Sequence, residues 1–200
     1  MNQEIDGGVP KSAPQIVWED ESVVFISKPY GWLVHEDGHS EAPTIVSWFL
    51  QHYPQSTGVG EPGYSPDGTE LDRSGVVHRL DRETSGVMVL AKTQDAYRYL
   101  KKQFQDRTVY KEYRAFVYGR LNDRWGTINR PIGRSSKDSR RRSAERGAKG
   151  VLREAVTDFE RIGMGEYEDE PFSYVKLLPK TGRTHQLRAH LRAIDRPIVQ

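Results

Sequence analysis

Two hundred residues, 36% of them hydrophobic, suit one domain with a core of its own, or one domain with a small extension. The absence of cysteine excludes disulfide frameworks, thiolate zinc sites and cysteine nucleophiles, and fits a reducing, cytoplasmic location. The net charge of +2 hides an asymmetry. Residues 1–75 carry 3 Lys+Arg against 12 Asp+Glu, whereas residues 76–200 carry 27 against 16, so the later part suits either a polyanionic partner or a solvated basic surface.

Met1–Pro10 is polar, without the apolar stretch of a secretory signal, and residues 1–14 are expected to form a flexible leader. No apolar run approaches the roughly 20 residues that span a bilayer, so no membrane partner is expected. Gln15–Trp18 and Ser22–Ser27 predict two strands around the acidic turn Glu19-Asp20-Glu21, ended by Lys28-Pro29-Tyr30-Gly31. Thr44 is a predicted N-cap for a short helix through Ile45, Trp48 and Phe49. The stretch 53–74, rich in Gly, Pro, Ser and Asp, predicts a long loop. Strands are predicted at 75–79 and 86–92. Thr93 then caps a helix whose Ala96, Tyr97, Leu100 and Phe104 share one face.

Further on, Tyr110–Gly119 predicts a strand, and the Arg/Ser/Lys-rich stretch 134–153 a loop. Glu154–Ile162 and Phe172–Leu178 predict a hairpin with an acidic tip at Glu166–Glu170. Arg183–Ala193 predicts a helix with Leu187, His190 and Leu191 near one face. The fold class is α+β with mainly antiparallel strands.

Four constellations hold residue types able to do chemistry. In His78-Arg79-Leu80-Asp81-Arg82-Glu83-Thr84-Ser85-Gly86, a carboxylate stands between two arginines and between two strand-like runs. Such a cluster is poor core material. Arginines would keep Asp81 ionised, as a nucleophile, a base, an electrostatic stabiliser, or one half of a structural ion pair. In Lys180–Arg188, Gly182 precedes a helix start, where Arg183 can meet a carboxylate or a phosphate. In Lys111–Gly119, strand periodicity puts Lys111, Tyr113 and Ala115 on one face, where Tyr113 stacks on a base or packs in a core. Arg130-Pro131-Ile132-Gly133-Arg134 with Arg140-Arg141-Arg142 suits phosphate contacts or a solvated loop.

Other patterns fail their context. Gly58-Val59-Gly60-Glu61-Pro62-Gly63 matches a dinucleotide-binding spelling but follows no strand and opens no helix. The six histidines lack metal-site spacing, so no metal is expected. Ser85 lacks the strand–elbow–helix setting of a serine nucleophile.

Taken together, four ordered blocks resemble the RluA-type pseudouridine synthases. Ser27–His35 is similar to the family's early Lys-Pro block, His78–Gly86 to its catalytic block, Lys111–Gly119 to its tyrosine strand, and Gly182–Leu191 to its late arginine block. The resemblance implies a mixed, mainly antiparallel sheet with a central catalytic cleft flanked by helices, over residues 15–200. It implies Asp81 as the essential aspartate, Arg183 as its partner, and Tyr113 against the target base. Arg79 would enter the RNA and hold the uridine out of its stack, with further RNA contacts from Lys28, His78, Arg82, Arg134 and Arg188. The reaction is an isomerisation of uridine in ribosomal or transfer RNA, needing no redox cofactor, ATP or metal, by a monomer. The family pattern usually runs on past a segment like Arg196-Pro197-Ile198-Val199 into further β-structure, so a C-terminal portion is expected to be missing here. Asp195-Arg196 also departs from the small residues common there, and no basic N-terminal module of the S4 kind stands in the acidic residues 1–75. Two rivals make different predictions: an inactive RNA-binding module would release no tritium from 5-tritiated uridine, and a Ser85 hydrolase would react with a phosphonate.

Overall fold

The computed structural model describes residues 12–36, 42–65, 68–137, 142–144 and 147–199, so the expected leader lies outside the described residues up to residue 11. The chain divides into two compact units, Met1–Thr108 and Val109–Gln200.

In the first unit, β1 (Gln15–Glu19) and β2 (Val23–Lys28) form the expected hairpin. Its turn is fixed by Asp20, whose carboxylate accepts the backbone N–H groups of Ser22 (2.7 Å) and Val23 (2.8 Å). The short helix α1 (Ile45–His52) starts at Thr44 with a complete capping box. The Thr44 hydroxyl accepts the Ser47 N–H and the Ser47 hydroxyl accepts the Thr44 N–H.

The expected 53–74 loop holds a 3₁₀ turn, Pro54–Ser56, and a two-residue hairpin, β3 (Gly63–Tyr64) with β4 (Glu70–Leu71). The predicted strand 75–79 does not form: only Val76 makes an isolated bridge, to Leu90. Gly75 is the reason. Its φ is +75°, its N–H donates to Val59 O and its carbonyl accepts from Ala91 N. A Cβ there would stand 2.7 Å from Phe49 and 2.8 Å from the Ala91 carbonyl. The chain turns at a position that only glycine fills.

Strand β5 (Gly86–Ala91) pairs antiparallel with β2, Lys28 opposite Gly86, and gives a sheet of order β1-β2-β5. Val24, Ile26, Met88 and Leu90 are fully buried. Helix α2 (Gln94–Gln105) is capped by the Thr93 hydroxyl, which accepts the Ala96 N–H, and buries Tyr97.

The second unit opens with β6 (Tyr113–Tyr118) and β7 (Trp125–Asn129), a strand the sequence reading passed over. The basic stretch expected as a loop instead holds β8 (Ile132–Ser135), β9 (Arg142–Ala144) and β10 (Ala148–Arg153), an antiparallel sheet of order β10-β8-β9. The predicted hairpin is present as β11 (Val156–Tyr167) and β12 (Glu170–Pro179). Its acidic tip turns on Glu168 and Asp169, both with positive φ, as a tight two-residue hairpin turn requires. These strands form a second antiparallel sheet, β6-β12-β11-β7. Its inner face (Val117, Phe159, Val175 and Leu177) packs on Leu187 and Leu191 of the last helix, α3 (Gln186–Ala193). Among the described residues no helix is long and apolar enough to cross a membrane.

Candidate active site

Asp81 lies in the first unit, half-buried, at the end of the β-sheet where β2 ends and β5 begins. It opens a turn closed by Thr84 N–H donating to Asp81 O at 3.0 Å. The turn is held from below by Lys28. The period of two that buries Val24 and Ile26 carries Lys28 onto the same face, and its side chain is fully buried. The Lys28 ammonium donates to three backbone carbonyls: Thr84 (2.8 Å), Pro29 (3.0 Å) and Arg82 (3.3 Å). Burial pushes its pKa down to about 8, against the opposing fields of Glu83 and Asp81. Lys28 was expected among the RNA contacts. The structure gives it another place, because an ammonium whose donors are spent on buried carbonyls has none for a phosphate.

Two further bonds lock the same loop: Gly31 N–H to Arg82 O (2.9 Å) and Arg82 Nε to Gly31 O (3.2 Å). Leu80 is buried beneath. The early block and the catalytic block of the sequence therefore meet in space, and the first holds the second.

His78 and Arg79 precede this turn. The His78 ring stacks on Phe104 at 4.6 Å, and its Nε2 accepts the Val89 N–H at 3.2 Å. Arg79 is exposed, with Nη1 3.0 Å from Nε2 of the buried His35. The other His35 nitrogen, Nδ1, lies 2.8 Å from the carbonyl of Glu36. A carbonyl only accepts, so the hydrogen bonds assign the proton to Nδ1 and leave Nε2 to accept from Arg79. His35 closed the early block in the sequence, but nothing there gave it a task.

The second unit holds the other two expected catalytic residues. Tyr113 opens β6 opposite Leu177 and packs against the core of its sheet. Arg183 stands in the turn before α3, half-buried, with Nε donating to the Glu154 carbonyl at 3.0 Å. That bond leaves the two Nη groups as the ones a carboxylate would take.

The turn that carries Arg183 is built by a buried polar chain. Thr181 Oγ1 accepts the Val156 N–H (3.0 Å) and donates to Gln186 Oε1 (2.7 Å), which also accepts the Arg183 N–H (3.0 Å). Gln186 Nε2 donates to Val156 O and to Thr157 Oγ1, both at 3.0 Å. His190 ends the chain: Nδ1 is 2.9 Å from Thr157 Oγ1 and Nε2 is 3.0 Å from the Arg130 carbonyl, so Nε2 carries the proton. Burial lowers the His190 pKa and keeps the ring neutral. Each donor meets an acceptor, which removes the penalty of burying these groups. Sequence reading singled out the basic residues of this block and missed Gln186 and Thr181, which position them.

Of the remaining expected RNA contacts, Arg82 and Arg134 are exposed, and Arg188 is half-buried on α3. Arg140 and Arg141 lie outside the described residues, and Arg142 is on β9.

A turn-borne aspartate on a buried lysine, and an arginine turn on a buried glutamine, are the local frames of the two blocks. The family profile for RNA pseudouridylate synthase matches residues 22–193, and the chain belongs to that family. An uncharacterised RNA pseudouridine synthase of Aquifex aeolicus is 35% identical over 191 residues, covering 95% of this chain and 56% of that protein. The ribosomal large subunit pseudouridine synthase D of Borreliella burgdorferi is 35% identical over 202 residues, covering 99% of this chain and 57% of the relative. The corresponding protein of Pseudomonas aeruginosa is 35% identical over 191 residues, covering 92% and 51%. The chain thus spans about half the length of these curated relatives. Among solved structures, human RNA pseudouridylate synthase domain containing 1 superposes with a TM-score of 0.72 at 27% identity, over 98% of this chain and 70% of the human one. The human domain containing 4 protein gives 0.65 at 27% identity, over 92% and 66%.

Proposed function

We propose that this chain carries the catalytic machinery of an RNA pseudouridine synthase of the RluA type, acting on ribosomal RNA. The observation that carries the reading is the Asp81 turn, whose Arg82 and Thr84 carbonyls are held by a buried ammonium. A carboxylate so held is aimed before substrate arrives, which is what a reaction at one sugar carbon needs.

The reaction breaks the bond from ribose C1′ to uracil N1, turns the base, and joins C5 to C1′. The C5 proton leaves and N1 gains one, so atoms balance without oxidant or nucleotide. Asp81 serves by attacking C1′, by adding to uracil C6, or by removing the ribose C2′ proton on the way to a glycal. The family resemblance gives Arg183 the part of keeping the essential aspartate ionised and Tyr113 the part of the ring against the base. A base inside a stem is out of reach, so the nucleotide must be flipped, with Arg79 taking part. Arg82, Arg134 and Arg188 contact the RNA backbone. A monomeric, cytoplasmic enzyme is the form this reading takes. The choice of ribosomal RNA is supported by the names of the relatives from Borreliella burgdorferi and Pseudomonas aeruginosa.

Mapping pseudouridine in the RNA of cells with and without this gene tests the proposal. One or more uridines of large-subunit ribosomal RNA are expected to lose the modification. An unchanged map of both ribosomal and transfer RNA would remove the reading.

A further inference from the structure

The first unit contains a cleft of about 270 Å³ that runs from Arg79, which takes part in flipping, to Arg73 and Lys101, to which the reaction gives no task. Its polar walls are His35, Arg73, His78, Arg79 and Lys101, with Val76, Val77 and Tyr97 among the apolar ones. The volume lies just under the range of about 300–1,000 Å³ typical of small-ligand pockets. We propose that this cleft is a phosphodiester-binding subsite that takes one backbone phosphate of the RNA. The inference rests on the RNA reading above and adds to it a place for one phosphate.

Charge is the first argument. The unit as a whole is acidic, with 10 Lys+Arg against 16 Asp+Glu over residues 1–108. Three of those ten cations line this one cleft, with a single carboxylate, Glu61, which is ion-paired with Lys101. Gathering cations in one concavity of an acidic unit focuses a positive field there, where an anion is drawn in and its neighbours are not.

Arg73 is the second. Its Nε is buried and has no hydrogen-bond partner, the one such side-chain atom among the described residues. Leaving a buried charged donor unsatisfied is costly. The side chain is laid against Gly63, where a Cβ would overlap the guanidinium. The residue with the smallest surface thus makes room for an arginine that gains nothing from its own surroundings at Nε. With Nε sealed against Gly63, the side chain is fixed in place and a ligand in the cleft meets it through the terminal guanidinium nitrogens, which suit two phosphate oxygens.

The third is Arg79. The Nδ1–H tautomer of His35 makes its Nε2 an acceptor for Arg79 Nη1, so the arginine is oriented at the cleft wall by a neutral ring that adds no repulsion. The apolar side chains give the sugar beside the phosphate a dry surface.

The probe is oligouridylate with the full chain, its affinity measured across a salt series. Arg73→Gln and Lys101→Gln are each expected to weaken binding about tenfold. Each should also reduce the slope of log affinity against log salt by about 0.7, the share of one single-strand phosphate contact. Gly63→Ala, which evicts Arg73 while keeping every charge, is expected to match Arg73→Gln. In proton spectra, the His35 and His78 ring signals should move saturably with the dinucleotide UpU, and Arg73→Gln should abolish the movement. If Arg73→Gln does not fold, Lys101→Gln carries the decision. Oligouridylate binding with wild-type affinity and slope in both charge variants, and still ring signals, would withdraw the subsite and leave the RNA reading standing. A chain that binds no oligouridylate at all would bring down both.

Discussion

Lys28 sets the terms at the residue scale. A buried ammonium is costly unless its donors are met, and here two carbonyls of the Asp81 loop, Arg82 and Thr84, and that of Pro29 meet them. Lys28→Met should remove the ammonium from the Pro29, Arg82 and Thr84 carbonyls, of which Arg82 keeps the Gly31 N–H, and destabilise the protein by about 3 kcal/mol, read in a urea melt. The pH dependence has a definite sign. The unfolded chain holds this proton up to about 10.4, whereas the folded chain releases it near 8. Between those values the unfolded state binds more protons, so this residue's contribution to stability rises with pH across that window and is lost as pH falls through 8. The slope should be present in the wild-type difference curve and absent from Lys28→Met. Arg183→Ala should lower turnover by about 10²–10³-fold with RNA affinity nearly unchanged. A defect in affinity alone would instead place Arg183 on a phosphate. The sequence drew attention to Asp81 and Arg183 because charged residues beside strand-like runs are poor core material, and the structure places both on turns at the ends of strands or helices. Lys28 was misread because its charge was weighed and its register was not: the alternation through Val24 and Ile26 already pointed it inward.

Elements were legible where one local rule fixed them. Thr44 and Thr93 cap their helices as expected, because a hydroxyl answering a backbone N–H is a local event. The basic stretch that forms β8, β9 and β10 was not legible. β10 buries almost nothing, so its composition shows no alternation, and its pairing comes from partners distant in sequence. The strand expected at 75–79 failed for the opposite reason, since the apolar run is real but Gly75 bends it. Gly75→Ala should cost about 3 kcal/mol, from positive φ and the clash with Phe49, measured as a shift in the unfolding midpoint. The Arg183 turn depends in the same way on α3. Gln186→Leu should destabilise the second unit by about 2–3 kcal/mol by orphaning Thr181 and Thr157.

At the scale of the whole molecule, charge and structure divide the chain in different places. The sequence turns basic after residue 75, whereas the structural units meet at Thr108 and Val109. Surface charge follows what the protein meets, and chain packing follows hydrophobic burial, so the two boundaries need not coincide. The resemblance of four blocks conveyed the family. It did not convey that two of them are joined through a buried lysine, or that a basic cleft stands beside Arg79. The central claim, that one carboxylate carries uridine isomerisation, meets its most direct test in tritium release from RNA labelled at uridine C5. The wild-type protein should release tritium. Asp81→Asn should lower release by on the order of 10⁴-fold or more while still binding RNA. Tritium release by Asp81→Asn at the wild-type rate would contradict the account.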